Sequence, residues 1–255
     1  MILLISPAKT LDFKQKANTA IHSENAFLPE AEKLIKKLKQ IKEAELSELM
    51  GISQKLAQLN FKHFQNWSIP FNENNAKQAV FAFKGEVYRG LNVETFSEKN
   101  LLFAQEHLRI LSGLYGVLRP LDLIQPYRLE MGTLWKTKNF GNLYAYWGEK
   151  LTKNINDALA AQKNNFLINL ASNEYFKAIN TKKIKAEIIS PVFKDFSHGE
   201  YKIISVFAKK ARGLMSRFII DHEIQKPDEL KLFNSEGYYF SEAESKNNQL
   251  VFLRG

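Results

Sequence analysis

The chain has 255 residues, 45% hydrophobic and 12% aromatic, with 19 Phe; that supports a substantial core and excludes a disordered tail. Cysteine is absent, which excludes disulfides, a thiol nucleophile, zinc–thiolate sites and cysteine-ligated iron–sulfur clusters. The formal net charge of +9 is a moderate basic bias, compatible with a polyanionic partner and equally with plain solubility.

Met1–Ile5 reads as a short buried strand ending at Ser6-Pro7. As an N-terminal segment it is too short for a signal peptide and lacks the basic start. No run approaches the roughly 18–20 apolar residues of a membrane span, so a cytoplasmic protein without membrane association is expected. Ser6-Pro7-Ala8-Lys9-Thr10 follows the strand with a lysine and two hydroxyls. It lacks the glycines that wrap backbone amides around a phosphate. That leaves an anion contact by Lys9, or simply a strand-to-loop turn.

Residues 29–44 carry Leu34, Leu38 and Ile41 at helical spacing, with Lys36, Lys37 and Lys39 opposite; Pro29 suits a first helical position. Next comes LSELMGISQKLAQL, Leu46–Leu59, which reads as two helices joined by a tight turn at Met50–Lys55. Its pattern resembles a helix-hairpin-helix module, spanning residues 44–60. Gly51 permits a left-handed turn, amides opening the second helix would face an anion, and Lys55 adds charge. Such a grip holds phosphate without reading bases. The usual proline and second glycine are replaced by Met50 and Ser53, and a plain helical hairpin with leucines in the core explains the pattern equally well.

Phe61, Phe64 and Trp67 form an aromatic segment ending at Pro70. Residues 83–90, FKGEVYRG, mix Lys84 and Arg89 with Glu86 and Tyr88. Residues 100–111 look helical, with Phe103, His107 and Ile110 on one side. Gly113–Gly132 reads as loop with short extended pieces, and the whole stretch presents Arg109, Arg119 and Arg128 among Tyr115 and Tyr127. Arginines and aromatics suit phosphates and exposed bases; they could as well pair structurally with Glu86, Asp122 and Glu130.

A helical part runs from Leu143 to Gln162, Phe166–Leu170 is a strand, and Ser172 caps a helix opening at Asn173. Residues 186–196 and 200–207 read as a β-hairpin. Residues 209–225 read as a helix, with Ala211, Leu214, Met215, Phe218 and His222 on its apolar face. Lys209 and Arg212 share one neighbouring stripe and Lys210 and Arg217 another. Gly213 costs such a helix about 1 kcal/mol relative to Ala, which points to a backbone or ligand close by. Residues 237–240 and 249–253 close the chain as strands. Together these predict an α/β (mixed α+β) fold in one domain over residues 1–255: a mixed sheet with surrounding helices and the hairpin element, which could instead form its own subdomain.

Glu86, Asp122, Glu130, Glu174 and Glu236 offer carboxylates for acid–base chemistry or Mg²⁺, without diagnostic spacing. The five histidines are scattered, so neither a metal site nor a cofactor is expected.

Six motifs occur in order: ISPAKT, FKGEVYRGL, HLRILSGLYGVLRPLDLIQPYRLEMG, NLASNEYFK, KKARGLMSRFI and FNSEGYYF. Together they resemble the bacterial YaaA family of peroxide stress proteins, from residue 2 to near residue 253. The resemblance implies a cytoplasmic protein of the hydrogen peroxide response that lowers unincorporated iron. It also implies an unusual α/β fold that binds DNA through a basic cleft and a helix-hairpin-helix, with no established catalysis. Carried onto this chain, the hairpin falls at Gly51, Ser53 and Lys55. Basic residues inside the family motifs nominate Lys9, Lys84, Arg89, Arg109, Arg119, Arg128, Lys209, Lys210, Arg212 and Arg217 for the cleft. The partner expected is double-stranded or structured DNA, bound without sequence preference by a protein whose simplest state is a monomer. The rival reading is an enzyme on nucleic acid or nucleotide using Glu86 and Glu130; a third is carboxylate-ligated iron.

Overall fold

Ile2–Ile5 (β1) is buried at every position. Successive strand side chains point to opposite faces, so β1 is covered on both sides, as the middle of a parallel sheet requires. The computed structural model, which describes residues 1–163 and 165–255, pairs β1 in parallel with Leu108–Ser112 (β2). Gly116–Leu118 (β3) closes that side antiparallel. On the other side of β1 lies Phe166–Leu170 (β4), again parallel, followed by Glu187–Ser197 (β5). The far end of β5 pairs with Glu200–Lys202 (β6). A final hairpin, Tyr239–Lys246 (β7) and Gln249–Arg254 (β8), adds the outer edge, with β8 parallel to β5. The result is one mixed α/β domain built on an eight-stranded sheet, the fold class that the sequence pattern predicts. No helix among the described residues is long and apolar enough to cross a membrane.

The helix expected over residues 29–44 is two: Leu28–Leu38 (α1) and Glu43–Met50 (α2). The following helix, Gln54–Asn66 (α3), explains the break. Gln65 of α3 donates to the Lys39 carbonyl at 3.0 Å, and Lys39 Nζ donates to the Trp67 carbonyl at 2.9 Å. These contacts close the end of α1 from outside. A short helix, Glu86–Leu91 (α4), follows later in the chain.

The helix expected over residues 100–111 stops at His107 (Glu98–His107, α5), and the chain continues as β2. A spacing of Phe103, His107 and Ile110 fits a helix, but Leu108–Ser112 is a wholly buried run that pairs with β1, Leu108 opposite Leu3. Tertiary pairing overrides the local period. Lys150–Ala161 (α6) packs on β1 and β3. The strand expected over residues 200–207 ends at Lys202, because the long basic helix begins early, as Ser205–Asp221 (α7).

Gly213 does mark a close approach, and its neighbour is backbone. A Cβ on Gly213 would lie 1.9 Å from the Val87 carbonyl oxygen, and one on Gly90 would lie 2.2 Å from the Lys210 carbonyl oxygen. Helices α4 and α7 therefore cross with their main chains in contact. Arg217 then clasps the crossing: its guanidinium donates to the carbonyls of Leu91 and Asn92 at 3.2 and 3.0 Å, and to Thr95 Oγ1 at 2.7 Å. These bonds satisfy carbonyls that the end of α4 leaves open.

Two consequences are measurable. Gly213→Ala gains up to about 1 kcal/mol of helix propensity, but overpacking costs roughly 1–3 kcal/mol, and a backbone oxygen at 1.9 Å puts this site at or above the upper end. The expected net loss is about 2 kcal/mol, read in a thermal melt as a fall of roughly 4–8 °C; an unchanged or raised midpoint would refute the close crossing. The second concerns His63 and His107, whose imidazoles burial holds below the usual 6.5. Below that value the unfolded chain binds more protons than the folded one. Stability is then complete above pH 6.5 and falls as the pH drops. Melts from pH 7.5 to 5.5 should show a declining midpoint, and a shallower decline in His107→Gln.

Candidate functional site

Strand β1 feeds its connection toward β2, whereas β4, on the other side of β1, feeds toward β5. In open α/β sheets, a crevice forms beyond the carboxyl ends of two neighbouring strands whose connections depart in opposite directions. This chain has one there, of about 340 Å³. The loops leaving both strands meet at its base. Ser6 Oγ donates to Ser172 Oγ at 3.2 Å and accepts from the Ser172 amide at 2.9 Å. Tyr88, on α4, donates to the Ser6 carbonyl at 3.1 Å, tying the helix crossing to the same loop. Thr10 and Leu11 pair with Lys84 and Phe83, so residues 6–11 are held on two sides.

Three tyrosines, Tyr88, Tyr127 and Tyr175, line the crevice and are buried. Burial raises all three phenols above the ordinary tyrosine value, so they are neutral hydroxyls at physiological pH. Five cations share the lining: Lys9, Lys84, Arg128, Lys209 and Arg212. Three carboxylates accompany them: Glu86, Glu130 and Glu174. Glu130 is held between Lys9, at 2.8 Å, and Arg128, at 2.9 Å. Glu86 bonds Arg89 at 2.9 Å, Lys84 pairs with Glu94, and Glu174 accepts from the Gly132 amide at 2.9 Å. Among the described residues, Lys209 and Arg212 have no acidic partner. One turn apart on α7, they share a helix face. Arg212 is half-buried, and burial lowers its guanidinium below the usual value. A half-buried cation without a counter-charge is the arrangement that an incoming anion relieves.

The remaining nominated residues lie elsewhere. Arg109 is buried, donates to the Gln105 and Leu108 carbonyls at 3.1 and 2.8 Å, and is pulled by burial to about 10. With Arg119 and Asp122 it borders a separate depression, where Arg119 and Asp122 form an ion pair at 3.1 Å. Lys210 pairs with Glu236 at 2.5 Å, and Arg217 holds the helix crossing. A larger, shallower depression of about 820 Å³ lies between the loop of residues 13–20 and residues 73–78. Of its three lysines, Lys14, Lys16 and Lys77, the last is spent on the Asp12 carbonyl at 3.0 Å.

The helical pair α2–α3 is present, with a tight turn. Gly51 is left-handed, φ +59 and ψ 45, and its amide and that of Ile52 bond back to Glu48 and Ser47. Ser53 is extended, φ −62, and caps α3 by accepting from the Leu56 amide at 3.4 Å. A second glycine is therefore not needed: the turn uses its one positive φ at Gly51. Leu46 and Ala57 are buried, but Leu56 and Leu59 are 38% and 48% exposed, so the second helix turns these leucines outward. Lys55 is exposed and has no acidic partner among the described residues.

No group of three or more His, Asp or Glu among the described residues is placed to hold a metal ion. The profile of the family described as peroxide stress protein YaaA matches residues 1–244 of the chain. This chain belongs to that family. Membership places it in the response to oxidative stress. The crevice lining draws on five of the six family motifs, four of them being ISPAKT, FKGEVYRGL, NLASNEYFK and KKARGLMSRFI. The long central motif is divided: it supplies Tyr127, Arg128, Leu129 and Glu130 to the crevice, and Arg109 and Arg119 to the separate depression. Sequence reasoning missed Ser6 and Ser172 as the stitch of the crevice base. The signal was there in retrospect: both neighbouring parallel strands are followed within two residues by a serine.

Proposed function

We propose that this peroxide stress protein binds the phosphate backbone of nucleic acid at the rim of the crevice and along the hairpin, without reading sequence. The observation that carries the reading is the pair Lys209 and Arg212, cations without counter-charge, beside Lys9, Lys84 and Arg128. Backbone phosphates are held by such cations and by amides opening a helix. Lys55 at the start of α3 supplies a second, separate contact. A protein lying along the backbone shields it from oxidants generated nearby, which links binding to the family's role in peroxide stress. A second reading rests on Glu86, Glu130 and Glu174, three carboxylates brought to one cavity: an enzyme acting on nucleic acid or nucleotide by acid–base chemistry.

Binding should fall steeply with salt, because each phosphate neutralised contributes about −0.9 to the slope of log affinity against log salt on duplex DNA. Anisotropy titrations on a labelled duplex from 50 to 200 mM salt measure that slope. Arg212→Glu and Lys55→Glu should each weaken binding and flatten it by about one contact; unchanged binding in both variants rejects the model. For the enzymatic reading, incubation with labelled single- and double-stranded DNA and Mg²⁺ should yield cleavage or base release that Glu130→Gln abolishes. Intact substrate removes that reading.

A further inference from the structure

Backbone contacts at the rim leave the interior of the crevice unexplained. Its volume of about 340 Å³ falls at the small end of ligand pockets. A duplex, stiff over about 150 base pairs, cannot bend into a hole of this size; a single nucleotide unit can enter. The walls divide by chemistry. Tyr88, Tyr127 and Tyr175 present neutral aromatic surface, which suits a ring. Helix α7 supplies the charge.

The charge count selects the kind of phosphate. Glu86 is compensated by Arg89 and Lys84 by Glu94. Glu130 faces two cations, Lys9 and Arg128, a surplus of one that offsets Glu174, which accepts from the Gly132 amide. Two cations, Lys209 and Arg212, remain without partners among the described residues. A phosphodiester carries one negative charge, whereas a phosphomonoester, with a second pKa near 6, carries nearly two at neutral pH. A guanidinium also takes phosphate in a bidentate fork.

We infer that the crevice is a binding site for a nucleotide phosphomonoester, its phosphate on Arg212 and Lys209 and its base against the tyrosines. The choice of a nucleotide over other phosphomonoesters rests on the nucleic-acid reading above; the phosphate site itself does not. Two sources present this chemistry: a free mononucleotide, and the phosphorylated end of a broken or single strand.

The test uses the full chain. Calorimetry with adenosine 5′-monophosphate, adenosine and inorganic phosphate should show the monophosphate binding at least tenfold tighter than adenosine. Anisotropy with oligonucleotides ending in 5′-phosphate, 3′-phosphate or hydroxyl locates the strand-end source. Arg212→Gln should lower affinity for the favoured phosphorylated ligand by roughly 10- to 100-fold, the scale of a lost charged hydrogen bond, and Arg212→Lys by less. Lys209 is exposed, so Lys209→Gln keeps the fold and should also weaken binding, with circular dichroism checking both variants. Preference for the monophosphate or for a phosphorylated end, lost in these variants, supports the inference and names the source. Equal affinity for phosphorylated and hydroxyl ends, with no preference for the monophosphate over adenosine, overturns it while leaving backbone binding intact. Monophosphate binding through Arg212 with no oligonucleotide binding supports the site and removes the nucleic-acid reading instead. A phosphate preference that survives both Gln substitutions also overturns it.

Discussion

The backbone contact between α4 and α7 is the constraint from which the crevice follows. Side chains on packed helices normally keep the helix axes about 8–10 Å apart. Here Gly90 and Gly213 remove the two Cβ atoms that would collide with the Lys210 and Val87 carbonyls. Because α7 is fixed at that point, Arg212, the residue just before Gly213, and Lys209, one turn earlier, come to the wall that α4 itself supplies through Glu86, Val87 and Tyr88. Arg217, one turn after Gly213, falls on the carbonyl end of α4 and is used to close it. The glycine crossing thus separates a structural arginine, Arg217, on one side from a free pair, Arg212 and Lys209, on the other, while Lys210 pairs with Glu236.

The opposite wall depends on the sheet. Two parallel strands side by side, each followed by a serine-bearing loop, bring Ser6 and Ser172 together across 166 residues of sequence separation. Parallel strands leave all their carboxyl ends on one edge, so loops after β1 and β4 must meet, and the opposed directions of their connections keep helices from filling the gap. Tyr88 joins the two devices by donating to Ser6. Loss of the helix crossing would therefore be felt in the sheet-edge loop.

Much of this is legible in the sequence. The apolar run of β1, the helical hairpin and the strand Phe166–Leu170 follow from local pattern, and Gly213 announced a close neighbour because an interior helical glycine needs a reason. The identity of that neighbour was not legible, since Gly90 sits in a six-residue helix with no period of its own. Nor was the change from helix to strand at Leu108, where the pairing with β1 decides and the pairing is non-local. The crevice posed the same problem. Its residues come from five separate stretches, around Ser6, Tyr88, Arg128, Ser172 and Arg212, and only the topology of the sheet assembles them. Counting basic residues inside motifs nominated ten cations for one cleft, and the folded chain brings five of them to it.

That difference has an electrostatic meaning. A net charge of +9 describes the long-range field, but a local anion site is set by where acids are missing. Lys9, Lys84, Arg89, Arg119, Arg128, Lys210 and Arg217 each bond a carboxylate. Exposed pairs of this kind contribute about 0–1 kcal/mol, so an arriving polyanion can draw Lys9 or Arg89 from its partner at little cost. Arg217 cannot be drawn away, because leaving would strip two hydrogen bonds from the end of α4 and one from Thr95 in the turn that follows. Arg212 needs no exchange at all, and its half-buried position means that the charge it lacks is felt through less water than at the surface. Availability therefore declines from Arg212 and Lys209, through the paired lysines of the rim, to Arg217. An anion entering the crevice meets the cations in that order of cost, and the first two are the ones that α4 and α7 place together.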